Sequence, residues 1–353
     1  MTNLHSLLHA HGADAALITF LPDIRWACGF TGSNGVLVVL PEAVHFLSDG
    51  RYTEQARQEV HGATVHTPGY ALFEYMAEEN LLGDARQVVY QADHVTVAQL
   101  EKWRGLLPSV QWKPGTDLLT KQVAAKSDDE VARMRQAQRV TDDVFAHMLG
   151  FIQPGMREQE VAVEIVYQHL QRGAAKMSFE PIVASGARGA LPHALPTDKW
   201  LEPGELVVLD FGCFVDGYAS DMTRTIALGE PGEEARKVYD IVLEAQQQAI
   251  AQARAGISTK DLDAAARSVI EAAGYGEFFT HSLGHGIGLQ THEWPRVSYQ
   301  VDEVLPEGTA ITIEPGVYLP EFGVRLEVNV YVDPEAGPRV TTPVQNEVIL
   351  LDG

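Results

Sequence analysis

The chain has 353 residues, more than one hydrophobic core usually serves, so two domains are expected. Hydrophobic residues make up 45% and charged residues 21%, a balance that excludes a disordered chain. With 48 Asp and Glu against 26 Lys and Arg, the formal charge of -22 repels phosphate backbones and anionic lipid, which argues against nucleic acid and membranes as partners.

Residues 1–124 alternate short apolar runs with helical stretches. AALITFL, GVLVVL, AVHFLSD and RQVVYQA are expected strands, and TEQARQEV and VAQLEKWRGLL expected helices, which together describe an α/β domain. Its first residues carry no Lys or Arg before the apolar stretch. No later segment approaches the ~18 uninterrupted apolar residues of a membrane span. Cys28 and Cys213 lie far apart with no CxxC pattern, so a reduced, cytoplasmic protein is expected.

Residues 125–353 form the second expected domain. Ser127 followed by Glu130 is a capping box, and Val131, Met134, Val140, Val144 and Met148 continue at helical spacing up to the stop signal Pro154-Gly155. A second helix is expected from about Arg157 to Gln171. Two strands near 206–227, helices near 233–254 and 258–273, and strands near 309–314, 323–333 and 345–350 complete the chain.

LVVLDFGCFVDGYASDMTRTIAL, residues 206–228, reads as a hairpin around Asp216-Gly217, a preferred pair for a tight type I′ turn. That turn sets residue 210 opposite 223 and 212 opposite 221. Asp210 and Asp221 then become diagonal neighbours on one face, ~7 Å apart at the backbone, with Gly212 leaving room above the sheet. The apolar flanks argue that this sheet is buried, where two like charges are costly without a cation.

The stretch HSLGHGIGLQTHEWP holds His281, His285 and His292. GHGIG is not a dinucleotide loop, because no helix follows it and no acid closes a βαβ unit. Glycines 284, 286 and 288 suit a site where imidazoles crowd a metal or a bound chain. Further on, AITIEPGVYLPEFGVRLEVNVYV alternates apolar residues with Thr312, Glu314, Arg325 and Glu327, and Arg325 with Glu327 could be no more than a surface pair. Together, Asp210, Asp221, His285, Glu314 and Glu327 supply four carboxylates and an imidazole, enough for two divalent ions and a bridging water.

These five residues, in this order and spacing, resemble the proline-directed dinuclear metallopeptidases of the pita-bread fold, the branch of aminopeptidase P and prolidase. FEPIVASGARGALPHALP, DIRWACGFTGSNGVLVV and LSDGRYTEQA extend the resemblance over nearly the whole chain. It implies an α/β amino-terminal domain of the creatinase and prolidase type and an α+β pita-bread catalytic domain. It further implies that Asp210 serves one metal, that Asp221 and Glu327 bridge both, and that His285 and Glu314 serve the other. His193, His281 and His292 match substrate-contacting histidines, and Arg325 matches a residue that steadies Asp210. Two positions depart from the pattern: Val328 stands where many relatives have an acid, and Ala187 where a larger polar residue is common.

The implied reaction is hydrolysis of the Xaa-Pro bond in peptides with proline second. Glu314 is the expected proton shuttle, and His193 and His292 the expected donors to developing oxygen charge. Manganese suits an oxygen-rich set, with cobalt, zinc and iron as alternatives. Phe179 and Trp294 are candidate apolar walls, and Arg51, in DGRYTEQA, a candidate partner for a substrate carboxylate. That motif tilts the expectation towards aminopeptidase P, with the dipeptidase as alternative; a metal-free binding protein or a creatinase would lack the complete ligand set. Relatives are commonly dimers or tetramers, so the resemblance also implies a homodimer or homotetramer.

Overall fold

Continuous apolar runs in the amino-terminal unit become strands whose two faces are both covered, which is why they lack polar alternation. The computed structural model describes residues 4–69 and 71–352, which divide into the units Met1–Val123 and Ala124–Gly353. In the first unit the six-stranded sheet runs Thr64–His66, Val44–Leu47, Val36–Val39, Ala15–Ile18, Gln87–Gln91, Gln111–Gly115. Ala16, Ile18, Leu37 and Val39 face one core layer with Ile24 and Leu119. Their neighbours Ala15, Leu17, Val36 and Val38 face another with Met76 and Trp103. The structure adds the helices His5–His11, Leu21–Cys28 and Leu72–Glu78 to the expected elements. Seven or eight residues span barely two turns, too few for a 3.6-residue repeat to declare itself.

In the second unit the capping box forms as expected. The Ser127 hydroxyl accepts from the Glu130 amide at 3.4 Å and Glu130 accepts from the Ser127 amide at 2.8 Å, opening the helix Asp128–Phe151. Its buried stripe includes Val131, Met134, Ala137, Thr141, Val144 and Met148, whereas Val140 is half-buried. That helix and Glu158–Gln171 pack on a four-stranded sheet ordered Ile349–Leu351, Met222–Leu228, Leu206–Phe211, Ile182–Ser185. Glu233–Gln252 and Thr259–Ala272 share a second core with a five-stranded sheet, Glu293–Val297, Gly284–Gly286, Ala310–Ile313, Val328–Asp333, Gly337–Val340. No helix among the described residues is long and apolar enough to cross a membrane.

Two expectations change in detail. The strand expected over 323–333 is two strands: Phe322–Arg325 pairs with Gly316–Leu319, and Val328–Asp333 joins the five-stranded sheet. Between them the Glu327 amide leaves both ladders and donates to the Thr223 carbonyl at 3.1 Å, which delivers that residue to the neighbouring sheet.

The hairpin register is the expected one, with Asp210 opposite Thr223 and Val215 opposite Tyr218, and Asp216 and Gly217 at φ 46° and 74° as a type I′ turn requires. Gly212, however, leaves no empty room. A Cβ there would lie 2.0 Å from the Ser220 carbonyl oxygen, because the ribbon passes at this point from the four-stranded sheet to a three-stranded one. Gly212→Ala is therefore expected to cost more than about 2 kcal/mol in urea unfolding, at the upper end of overpacking substitutions; a neutral variant would contradict the close approach.

Candidate active site

The hairpin register decides where the first two acids go. Asp210 lies in the strand Leu206–Phe211, and Asp221 immediately precedes its partner Met222–Leu228, so both reach the same cavity of about 670 Å³. Thr223, opposite Asp210, stands between them and Glu327, and its hydroxyl donates to Glu327 Oε2 at 2.8 Å. All four residues are buried.

His285 comes from the short strand Gly284–Gly286, wedged between Glu293–Val297 and Ala310–Ile313. Gly284 and Gly286 permit close backbone contact with the neighbouring strands, and Gly288 makes room for the Lys126 side chain. A Cβ at Gly284 would lie 2.0 Å from the Thr312 carbonyl oxygen, at Gly286 2.3 Å from that of Trp294, and at Gly288 2.4 Å from Lys126 Nζ. His285 Nδ1 sits 2.9 Å from the Gly286 carbonyl, which can only accept, so Nδ1 carries the proton. Its bare Nε2 then faces Glu314 Oε1 at 3.4 Å and Asp221 Oδ2 at 3.7 Å. Thr312 ties these pieces together, accepting from the His285 amide at 3.0 Å and donating to Glu314 at 3.1 Å.

Arg325 is the buried cation of the site. It holds Asp210 Oδ2 at 2.6 Å, the Thr223 hydroxyl at 3.0 Å, the Tyr318 hydroxyl at 2.9 Å and the Pro192 carbonyl at 3.0 Å. The surface pair of Arg325 with Glu327 is therefore excluded; both are buried, and the guanidinium serves Asp210. Tyr318 passes the contact on, donating to His281 Nε2 at 2.8 Å while His281 Nδ1 donates to the Ser282 carbonyl at 2.8 Å. Both nitrogens of His281 are thus engaged within the protein.

Four carboxylates against one guanidinium is an unstable population to bury. Burial first, then the neighbouring carboxylates, pushes Asp221 and Glu327 well above the usual carboxylate range. Burial, reinforced by Asp210 against the pull of Arg325, lifts Glu314 to about 7. Burial and the adjacent His292 drive His285 down to about 4, keeping it neutral. One donor has no partner at all: Asp210 Oδ1 is buried without a hydrogen bond. An unsatisfied carboxylate oxygen, a bare imidazole nitrogen and clustered acids form a set that fits divalent cations and little else. Donor atoms of Asp221, His285 and Glu327 lie within 4.8 Å of one another, close enough to share an ion.

Around this cluster the cavity is lined by Phe179, His193, His281 and His292, all expected there. His292 packs edge-on to His285, with ring centroids 4.3 Å apart. Trp294 is a correction: it is absent from the lining, and its indole N–H donates to Glu303 at 2.7 Å. The residue two further on, Arg296, lines the cavity instead, with Nε donating to Ser282 at 2.9 Å. Arg51 lies in the first unit, bound to Asp49 at 2.8 and 2.9 Å. Thr223 has a signal in the sequence, as the same-face neighbour of Asp221 two residues on. Tyr318 carries none.

Buried acids, a neutral histidine and an open cleft between two sheets define a metal-dependent hydrolase. Residues 132–334 match the model of Metallopeptidase family M24, and residues 1–122 that of the Creatinase/Prolidase N-terminal domain. The chain belongs to metallopeptidase family M24, with a creatinase-type domain followed in the sequence by a pita-bread catalytic domain. It is 36% identical to the uncharacterized peptidase YqhT of Bacillus subtilis over 99% of both chains. Among solved structures it is similar to an Xaa-Pro dipeptidase from Bacillus anthracis (TM-score 0.95, 36% identity, 99% of this chain and 98% of that one). It is also similar to an X-Pro aminopeptidase from Thermotoga maritima (TM-score 0.91, 33% identity, 98% and 100%).

The raised carboxyls give the metal-free protein a pH signature. A group whose folded pKa exceeds its unfolded value, near 4.5 for Glu314, contributes stability that is complete below that value and lost as pH rises through about 7. The depressed His281 and His285 act oppositely, but that contribution is complete above their ordinary value of 6.5. Chelated protein should therefore melt at a lower temperature at about pH 8 than at about pH 6.5, and added Mn2+ should raise the midpoint more at the higher pH. A metal-induced shift equal at both would count against a cation-neutralised cluster.

Proposed function

We propose that the chain hydrolyses Xaa-Pro dipeptides, using two divalent ions held by Asp210, Asp221, His285, Glu314 and Glu327. One observation carries the dipeptide reading. Two guanidinium groups line the cavity, and Arg325 is spent on Asp210, Thr223, Tyr318 and Pro192, which leaves Arg296 at the rim to receive the free carboxylate beside proline. The name of the Bacillus anthracis neighbour supports this over the aminopeptidase that DGRYTEQA favours, and the Thermotoga maritima neighbour keeps the longer substrate as the second reading.

When bound, the ions, manganese by the hardness of the donors, supply a Lewis acid for the scissile carbonyl and lower the pKa of a water. Glu314 is the proton shuttle, a half-buried carboxyl lifted towards neutrality and oriented by Thr312, able to deliver a proton to the departing proline nitrogen. His292, its pKa lowered chiefly by the partial burial of its ring, donates through its ring N–H to oxygen charge as it develops, with His193 as its counterpart on the other lining segment. His281, with both nitrogens engaged, offers its ring as a wall for the proline side, and Phe179 offers another.

Asp221→Ala and Glu327→Ala should each abolish both hydrolysis and metal uptake, read by peptide assay and elemental analysis; full activity in either would end the two-ion scheme. Arg296→Met should raise KM for an Xaa-Pro dipeptide about tenfold or more, the worth of one charged hydrogen bond, and leave an Xaa-Pro-Xaa tripeptide nearly unchanged. Equal losses on both substrates would favour the aminopeptidase.

A further inference from the structure

His193 stands on the connection between the strand Ile182–Ser185 and Thr197, whose regular part is a single 3-10 segment, Gly186–Ala190. An imidazole on such a loop is held only as well as the loop's ends. Both ends meet one carboxylate. Glu158, the first residue of the helix Glu158–Gln171, is 0% exposed and does not line the cavity. Its Oε1 accepts from the Ser185 amide at 2.9 Å and the Ser185 hydroxyl at 3.1 Å. Its Oε2 accepts from the Thr197 amide at 3.1 Å, the Thr197 hydroxyl at 2.9 Å and Arg188 Nε at 2.9 Å. Arg188 continues across the loop to the Leu195 carbonyl at 2.5 Å. Ser185, Arg188, Leu195 and Thr197 thus bracket Pro192 and His193 in one network, while Arg325 grips the Pro192 carbonyl from the cavity side.

Stability alone does not account for a glutamate side chain buried here. A buried ion pair is often no more stabilising than apolar residues of the same volume, whereas five convergent hydrogen bonds specify one geometry. The helix backbone already holds the far stem, through the Glu158 amide on the Lys199 carbonyl and the Gln159 amide on the Thr197 carbonyl, both at 3.0 Å. What the Glu158 side chain adds is the tie between the two stems. We infer that Glu158 is a positioning residue for His193, setting the place of that imidazole in the substrate cavity without touching substrate or metal. This rests on the reading of His193 as a substrate contact.

The test is a double-mutant cycle on the metal-loaded enzyme with an Xaa-Pro dipeptide, comparing wild type, Glu158→Gln, His193→Ala and the pair. Glu158→Gln should lower kcat/KM roughly tenfold, with metal content and metal affinity unchanged, and should add less than about twofold in the His193→Ala background, since coupled residues are non-additive. If Glu158→Gln does not fold, Arg188→Met, at a partly exposed side chain, replaces it in the same cycle. A penalty of equal size in both backgrounds, or metal affinity falling in parallel, overturns the inference while leaving the peptidase assignment standing. A His193→Ala variant with unchanged kcat/KM overturns the role of His193, and the inference with it.

Discussion

Everything in the catalytic unit answers to the cost of placing Asp210, Asp221, Glu314 and Glu327 together out of water. Buried like charges repel, and each is deprived of the solvent that would screen it. A single guanidinium, Arg325, faces the four and meets Asp210 directly. The remaining negative charge has no protein partner of opposite sign among the cavity-lining residues beyond Arg296 at the rim. The fold therefore holds a cluster whose natural complement is a cation, and the strands around it are the means of holding it against that repulsion.

The architecture supplies the holding. Helix pairs pack on the two larger sheets, so the strands carrying the acids are buried and cannot splay to let the carboxylates separate. Polar side chains then set orientations. Thr223 reaches Glu327 and Arg325, Thr312 reaches His285 and Glu314, and Asn329 donates to the Asp221 carbonyl at 2.9 Å. Arg224, pushed down to about 10 by its own burial, donates to the Glu327 carbonyl. These contacts fall on the backbone and on one oxygen each of Glu327 and Glu314, and so fix how the two carboxylates are turned.

Much of this is legible in the order of the amino acids. The Asp-Gly turn fixes a register, and the register alone puts Asp210 and Asp221 on one face, because side-chain direction in a strand has period two. The capping box at Ser127 likewise announces its helix. What does not transfer is whatever depends on contacts between distant segments. Alternation from Ile311 to Glu327 suggests one polar face open to solvent, yet Thr312, Arg325 and Glu327 are buried and Glu314 is half-buried, because that face turns into the cavity between packed strands. The glycines around His285 are legible as close approaches but not as approaches of strand to strand. Trp294 reads as a cavity wall on composition alone, whereas Arg296, two residues on, is the one that lines it; nothing in a lone strand says which neighbour the next sheet will cover.

The path from Arg325 outward ties the acidic cluster to the histidines that line the same cavity. One guanidinium bonds the Asp210 carboxylate, a hydroxyl that orients a second carboxylate, the backbone beside His193, and a tyrosine that fixes His281. Its planar fork presents donors in fixed directions, so a displacement that suits one partner misplaces the others. On the function proposed above, the geometry in which the cluster would receive cations is consequently the geometry in which His193 and His281 would meet a peptide. A lysine in that place could neutralise Asp210, but as a point charge it could not transmit orientation to four partners at once. An arginine in this place thus keeps four partners in register, which charge alone would not do.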